Sequence, residues 1–275
     1  MANLIRSSKS GSKWTTHDLE AYNIRVSSQS PANFYGQPLP PVESLSSLDP
    51  NLLSGTLHTQ GVSEETYRVL EYLDLAARRN SSQESATDDV AKEILRALGY
   101  ENHGLVLRSR YDLPLVVSGV RNRSAKTNVC LIHSSSTTLL VIQENKTIIS
   151  HSNPEPQVIA EAIATFQFNN RIRAQCDKSA CDSMIIPCIM MIGTRPTFYL
   201  VPVTKALSEA VATGQYPLSS TVVKECIVES NSSPGGGMET PEFRKVALQH
   251  FAAFRTLAEV HWSAFTIPVD VEMEA

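Results

Sequence analysis

Two stretches of the chain repeat apolar residues at helical spacing, and the region after them breaks into short β-rich runs. Ser63, followed by Glu64 and Glu65, is a good N-cap. It predicts a helix to about Arg79, with Leu70, Leu73 and Leu75 as its apolar surface. A second helix is expected after Thr87, with Asp88 and Asp89 at its positive end and Val90, Ile94, Leu95 and Leu98 as its stripe. Gly99 is its expected stop. Four strands follow: Leu105–Arg110, Leu115–Val120, Thr127–Ile132 and Thr138–Gln143, each bounded by turn-forming residues. Pro154 to Asn170 reads as a helix with Val158, Ile159, Ile163 and Phe166 inward. Met184–Ile192 is almost wholly apolar, as a strand buried on both faces is. A strand at Thr197–Val201, a helix at Thr204–Thr213 and a strand at Thr221–Val228 come next. The loop Ser233-Pro-Gly-Gly-Gly then precedes a final helix capped by Thr240, with Pro241 at its first position.

Residues 1–60 show no sustained periodicity. They hold Pro31, Pro38, Pro40 and Pro41, with isolated aromatics Trp14, Phe34 and Tyr35. They read as an extended arm packing through those aromatics, or, for residues 1–12, as a disordered tail. Residues 61–262 read as one domain, and 263–275 as a C-terminal tail. Helices and strands intermix, so the expected class is α/β with a mixed central sheet flanked by helices.

Composition narrows the function classes. The 275 residues carry a net charge of −4, which argues against a protein that coats nucleic acid nonspecifically. No window approaches the ~18 apolar residues of a membrane helix, so no membrane partner is expected. Basic residues near Met1 have no apolar run behind them, so a secretory leader is not expected. Five cysteines fit reduced thiols in the cytoplasm or nucleus better than a disulfide framework. Charge is also uneven: Arg108, Arg110, Arg121, Arg123 and Lys126 face only Asp112 between positions 108 and 126. Such a stretch either holds phosphates or is scattered solvated charge.

The candidate chemistry lies at Leu139-Leu-Val-Ile-Gln-Glu-Asn-Lys146. Here an apolar strand ends in Gln143, Glu144 and Lys146, with the carboxylate and ammonium two residues apart on one strand face. The strand before it reads Lys126-Thr-Asn-Val-Cys-Leu-Ile132. With His133–Thr137 as the hairpin loop, Ile132 pairs with Thr138 and Asn128 falls opposite Ile142. Asn128 then shares the face of Glu144, at a diagonal of roughly 7 Å.

This pattern resembles the PD-(D/E)XK nuclease superfamily. The resemblance implies a restriction-endonuclease-like αβββαβ core, here helix 87–98, the strands between 104 and 146, helix 154–170 and strand 184–192. Glu144-Asn145-Lys146 stands where that superfamily has its acid-x-Lys pair, and Asn128 where it has the acid of the preceding strand. From Asn153-Pro-Glu-Pro-Gln157 to Ile192-Gly-Thr-Arg-Pro-Thr-Phe-Tyr199 the chain also looks like a group of uncharacterised fungal proteins, whose strand motif reads Lys-Thr-Asp-Val-Cys.

The implied activity is hydrolysis of phosphodiester bonds in DNA or RNA, DNA favoured, with Mg²⁺ or Mn²⁺. Asn128 and Glu144 would hold the metal and Lys146 would orient water. The leading helix often adds a carboxylate: Glu93 is the first choice and Asp89 the second. Gln143, Gln157, Arg121, Arg123, Lys126 and Arg195 are the implied substrate contacts. Gln157 and Glu161, at i and i+4, read equally well as a surface pair. A homodimer is common in the superfamily. Asn128 is the departure, because an amide oxygen brings no charge to a metal. It leaves open a weakened or inactive relative, an introduced change, or an acid elsewhere such as Asp112. The rival function is a nuclease-fold protein that binds nucleic acid or protein without cutting.

Overall fold

A computed structural model describes residues 6–78, 85–133, 137–145, 153–229 and 236–266, with the backbone alone at Val141 and at 143–145. In chain order the described strands are β1 (Ile24–Ser28), β2 (Leu105–Val117), β3 (Val120–His133), β4 (Thr138–Asn145), β5 (Ser183–Ile192), β6 (Arg195–Thr204) and β7 (Thr221–Ile227). The helices are α1 (Thr16–Ala21), α2 (Pro31–Tyr35), α3 (Pro50–Ser54), α4 (Glu64–Ala77), α5 (Ser85–Ala97), α6 (Glu155–Gln175), α7 (Lys205–Thr213) and α8 (Pro241–Trp262). The strands form one sheet in the order β1-β7-β6-β5-β4-β3-β2. β1 runs parallel to β7 and β4 parallel to β5, while the other neighbours are antiparallel. The class is therefore α/β with a mixed sheet flanked by helices. Among the described residues, no helix is long and apolar enough to cross a membrane.

Local signals place most helix ends. The Ser63 hydroxyl accepts from the Thr66 amide at 3.2 Å and starts α4. Thr204 does the same for Leu207 and α7 at 3.1 Å. Gly99, at φ +71, ends α5, and the Tyr100 amide closes back on the Leu95 carbonyl. Pro241 opens α8.

The two faces of the sheet are covered differently. α8 lies on one face, where Phe198 of β6 packs against Phe251 and Phe254 at ring separations of 5.1 and 4.9 Å. α5 lies beside it: the Tyr100 hydroxyl donates to the Phe251 carbonyl at 2.7 Å and Arg255 to the Leu98 carbonyl at 2.8 Å. α6 fills the other face and crosses from β4 to its parallel neighbour β5. Every residue of α6 from Val158 to Phe166 is buried, because the segment around Gly11, with α1 and α7, packs on its far side. Gly11 is needed there: a Cβ on it would stand 2.9 Å from the Ala125 Cβ.

Three expectations change. The strands expected at Leu105–Arg110 and Leu115–Val120 are one strand, β2, and a hairpin turn. Ser118 and Gly119 take φ +47 and +77, which suits the twist of a two-residue turn. The run Arg108-Ser-Arg-Tyr-Asp hid this continuity because its exposed positions are polar and Arg110 sits at φ +51. Secondly, the segment read as an extended arm carries α1, β1, α2 and α3, and β1 supplies an edge of the sheet. Trp14, Phe34 and Tyr35 are buried, as the packing through aromatics required. Thirdly, Ile132 pairs with Thr138 as expected, but an irregularity after Leu131 sets Val129, not Asn128, opposite Ile142.

Candidate functional site

The residues expected to form the site gather where β3 passes the first turn of α5 and β4 runs out. Buried Ala86, Thr87, Val90, Ala91 and Ile94 seat α5 against the core. That phase sends its three acids different ways. Asp88 reaches the sheet, and its Oδ2 accepts from the Asn128 amide nitrogen at 3.3 Å. Asp89 pairs with Lys92 at 3.0 Å. Glu93 pairs with Arg68 at 3.2 Å and Arg96 at 2.7 Å, which ties α5 to α4. The helical carboxylate that meets Asn128 is therefore Asp88, one residue before the second choice and five before the first.

Asn128 lies at a kink in the hairpin. Ser109 pairs with Val129 and Tyr111 with Thr127, while Arg110 between them takes a left-handed φ of +51. The pairing of β3 with β4 ends at Val129 opposite Ile142, so the expected pairing of Asn128 with Ile142, which would put Asn128 on the face of Glu144, does not form. Position 144 is two residues beyond Ile142 on β4, and its backbone pairs with Met191 of β5. The side chains of Gln143 and Glu144 lie outside the described residues, as does Lys146 altogether.

The opposite face, under α6, holds a carboxyl group in an apolar setting. Glu161 is fully buried; its Oε1 accepts from Gln157 Nε2 at 3.3 Å, and among the described residues its Oε2 has no partner. Burial drives its pKa well above the usual carboxylate range, with Gln157 opposing. Cys130 is pushed up to about 12, mainly by burial, with Arg108 opposing and Glu161 adding to the rise. Cys188 is also raised by burial and by Glu161. Glu161 is a buried acid beneath the centre of the sheet, not a member of a surface pair. Its signal lay in the flanking run Val158-Ile-Ala and Ala162-Ile-Ala, apolar all round the helix.

The basic residues disperse. Lys126, two residues from Asn128, is exposed and stands 3.9 Å from the exposed Asp112. Arg121 is at the hairpin tip, seven residues or roughly 23 Å along β3 from Asn128. Arg123 donates through Nε to the Ser8 carbonyl at 2.7 Å and holds the N-terminal segment. Arg195 donates to the Gly236 carbonyl at 2.6 Å and lies over the Phe243 ring at 4.8 Å. Its turn does adjoin the end of β4, since Asn145 pairs with Ile192.

Sequence reasoning missed a clamp at this turn, where the Thr194 hydroxyl donates to Glu239 and Glu239 accepts from the Gly237 amide at 2.7 Å. Among the described residues, no three His, Cys, Asp or Glu side chains gather as a metal-holding group. No protein-family model matches the chain, and no curated protein matches it.

Proposed function

We propose that this protein is a phosphodiesterase of nucleic acid, DNA in the first place, that depends on a divalent cation and whose hold on that cation is weakened by Asn128. The reading gives it a restriction-endonuclease-like core formed by α5, β2, β3, β4, α6 and β5. One observation carries it. Asp88 and Asn128, forty residues apart in sequence, meet at 3.3 Å next to the β3–β4 pairing, and β4 runs on to Glu144 and Asn145, which Lys146 follows in sequence. The order of elements supports the same reading, with β5 returning parallel to β4.

The donor types suit a hard cation such as Mg²⁺ or Mn²⁺, because all are oxygens and two are carboxylates. The Asp88 carboxylate, the Asn128 amide oxygen and the Glu144 carboxylate would hold it. When bound, the ion polarises a phosphoryl oxygen. Lys146 contributes a positive charge that orients water and offsets charge developing on the phosphate. Glu93 belongs to the packing of α5 on α4.

A second reading, a nuclease-fold module that binds without cutting, is favoured by the same contact. The Asn128 amide nitrogen supplies Asp88 with a donor that a cation would otherwise replace. An Asp at position 128 would instead set two carboxylates together and create a demand for a cation.

Plasmid nicking with Mg²⁺ or Mn²⁺ decides between them. The first reading expects nicking in wild type, a gain of at least about tenfold in Asn128→Asp, and loss in Lys146→Ala. If Asn128→Asp neither nicks nor binds metal by calorimetry, the hydrolase reading fails.

A further inference from the structure

A second cationic cluster lies across the sheet from the Asp88–Asn128 contact, on the face covered by α6. Arg108 of β2 stands over the Tyr111 ring at 5.6 Å. Arg171 of α6 stands over the Phe168 ring at 5.2 Å. The two rings meet edge to face at 6.0 Å and join the two arginines into one unit. Both arginines are exposed and Tyr111 is half-buried. Among the described residues, neither arginine has a carboxylate within salt-bridge distance. Burial raises the pKa of the Tyr111 phenol, Cys130 adds to the rise, and Arg108 and Arg171 both oppose it. Both guanidinium charges therefore bear on the same hydroxyl.

We propose that Arg108, Arg171 and the Tyr111 hydroxyl form a phosphate-binding site on the edge strand β2. The site rests on the nucleic-acid reading above, and takes a backbone phosphate of the chain whose reacting bond lies at Asn128. The chemistry fits: guanidinium forks match phosphate oxygens, and stacking on aromatic rings holds them oriented before the anion arrives. The position fits as well. Arg108 pairs with Cys130, two residues beyond Asn128, and β2 is the last strand of the sheet. A polyanion held at Asn128 reaches Arg108 by passing over that edge. The site also supplies cations that Arg123 and Arg195 do not, since both spend donors on backbone carbonyls. Free inorganic phosphate is the other source of the same group.

The test is anisotropy of a labelled oligonucleotide titrated with the full-length chain across a salt series, for wild type, Arg108→Gln/Arg171→Gln, Tyr111→Phe and the control Lys205→Gln. The double variant is expected to lose at least about tenfold in affinity. Its slope of log affinity against log salt should shrink by roughly 1.4 for single strands or 1.8 for duplex, two contacts' worth. Tyr111→Phe keeps the stacked ring and should lose a few-fold. Lys205→Gln, which removes an exposed charge on α7 away from the site, should keep the wild-type affinity to within about twofold.

Millimolar inorganic phosphate should displace the oligonucleotide from wild type and less readily from the double variant. An unchanged affinity and slope in a folded double variant overturns the site, whatever the nicking result. So does a wild type that binds neither oligonucleotide nor phosphate. Failure of Asn128→Asp to nick, with the double-variant effect intact, overturns hydrolysis and leaves the phosphate site standing.

Discussion

Arg244 offers the sharpest test of how the molecule is held together. It is 1% exposed and, among the described residues, has no carboxylate within salt-bridge distance. Nε donates to the Leu52 carbonyl at 2.7 Å, Nη1 to the Met238 carbonyl at 3.0 Å, and Nη2 to the Gly55 carbonyl. One side chain of α8 thus satisfies the C-terminal end of α3 and the loop before α8. Burial lowers its pKa to about 10, against the pull of Glu242 and Glu239, so it stays charged at neutral pH. Arg244→Met keeps the length and removes every donor. A buried acceptor left without a partner costs about 1–3 kcal/mol. Three such losses, offset by no longer burying a guanidinium, come to about 4 kcal/mol. Unfolding entropy near 2.1 cal/mol/K per residue makes that about 7 °C in Tm for a chain of 275 residues. Arg244→Lys should fall between, because an ammonium cannot reach three diverging carbonyls in one plane. Calorimetry or thermal melting by circular dichroism measures both. A Met variant within about 2 °C of wild type would show that water or shifted backbone replaces the three bonds, and the hub would be refuted.

Three further outcomes are expected. Buried His250, whose Nδ1 lies 3.0 Å from the Tyr35 hydroxyl, has its pKa lowered to about 4 by burial. It stays neutral in the fold while the unfolded chain protonates, so stability should drop as pH falls from about 6.5 toward 4, by up to ~3 kcal/mol. His250→Phe should flatten that limb in urea titrations; an unchanged limb places the acid sensitivity elsewhere. Glu161 has the opposite sign. Its raised pKa means the unfolded chain ionises first, so stability is lost as pH rises above the usual carboxylate range. Glu161→Gln should therefore raise Tm at pH 8 and leave it nearly unchanged at pH 4, and equal shifts at both would sink the assignment. Deleting residues 1–28 removes β1 and buried Trp14, Leu19, Tyr22 and Ile24. It should abolish the cooperative thermal transition, whereas a dispensable arm would leave it intact.

The parts of the fold that were legible share one property: their signal is local. Ser63, Gly99, Thr204 and Pro241 mark helix ends by satisfying or freeing backbone groups within a turn, so their roles follow from neighbours in sequence. The apolar run at Met184–Ile192 likewise announces a strand covered on both faces. Pairing of Ile132 with Thr138 followed from a short loop. What escaped depends on residues far apart. The strand at Ile24–Ser28 has too few apolar positions to stand out and exists because β7 offers it an edge 197 residues later. Asp88, Asp89 and Glu93 are equivalent as acids on one helix. Only the seating of α5 on the sheet decides that Asp88 meets Asn128 while Glu93 goes to two arginines. Gln157 and Glu161 read equally well as site residues or as a helical surface pair, and Glu161 is buried only because the sheet and the N-terminal segment close over both sides of α6. Sequence was enough for the α/β class and for most of the elements beyond residue 60, because periodicity and capping act over a few residues. The tertiary structure decided register, burial and which acid faces which strand, because these depend on how separate elements pack, and one residue of slip or a third of a helical turn reverses them.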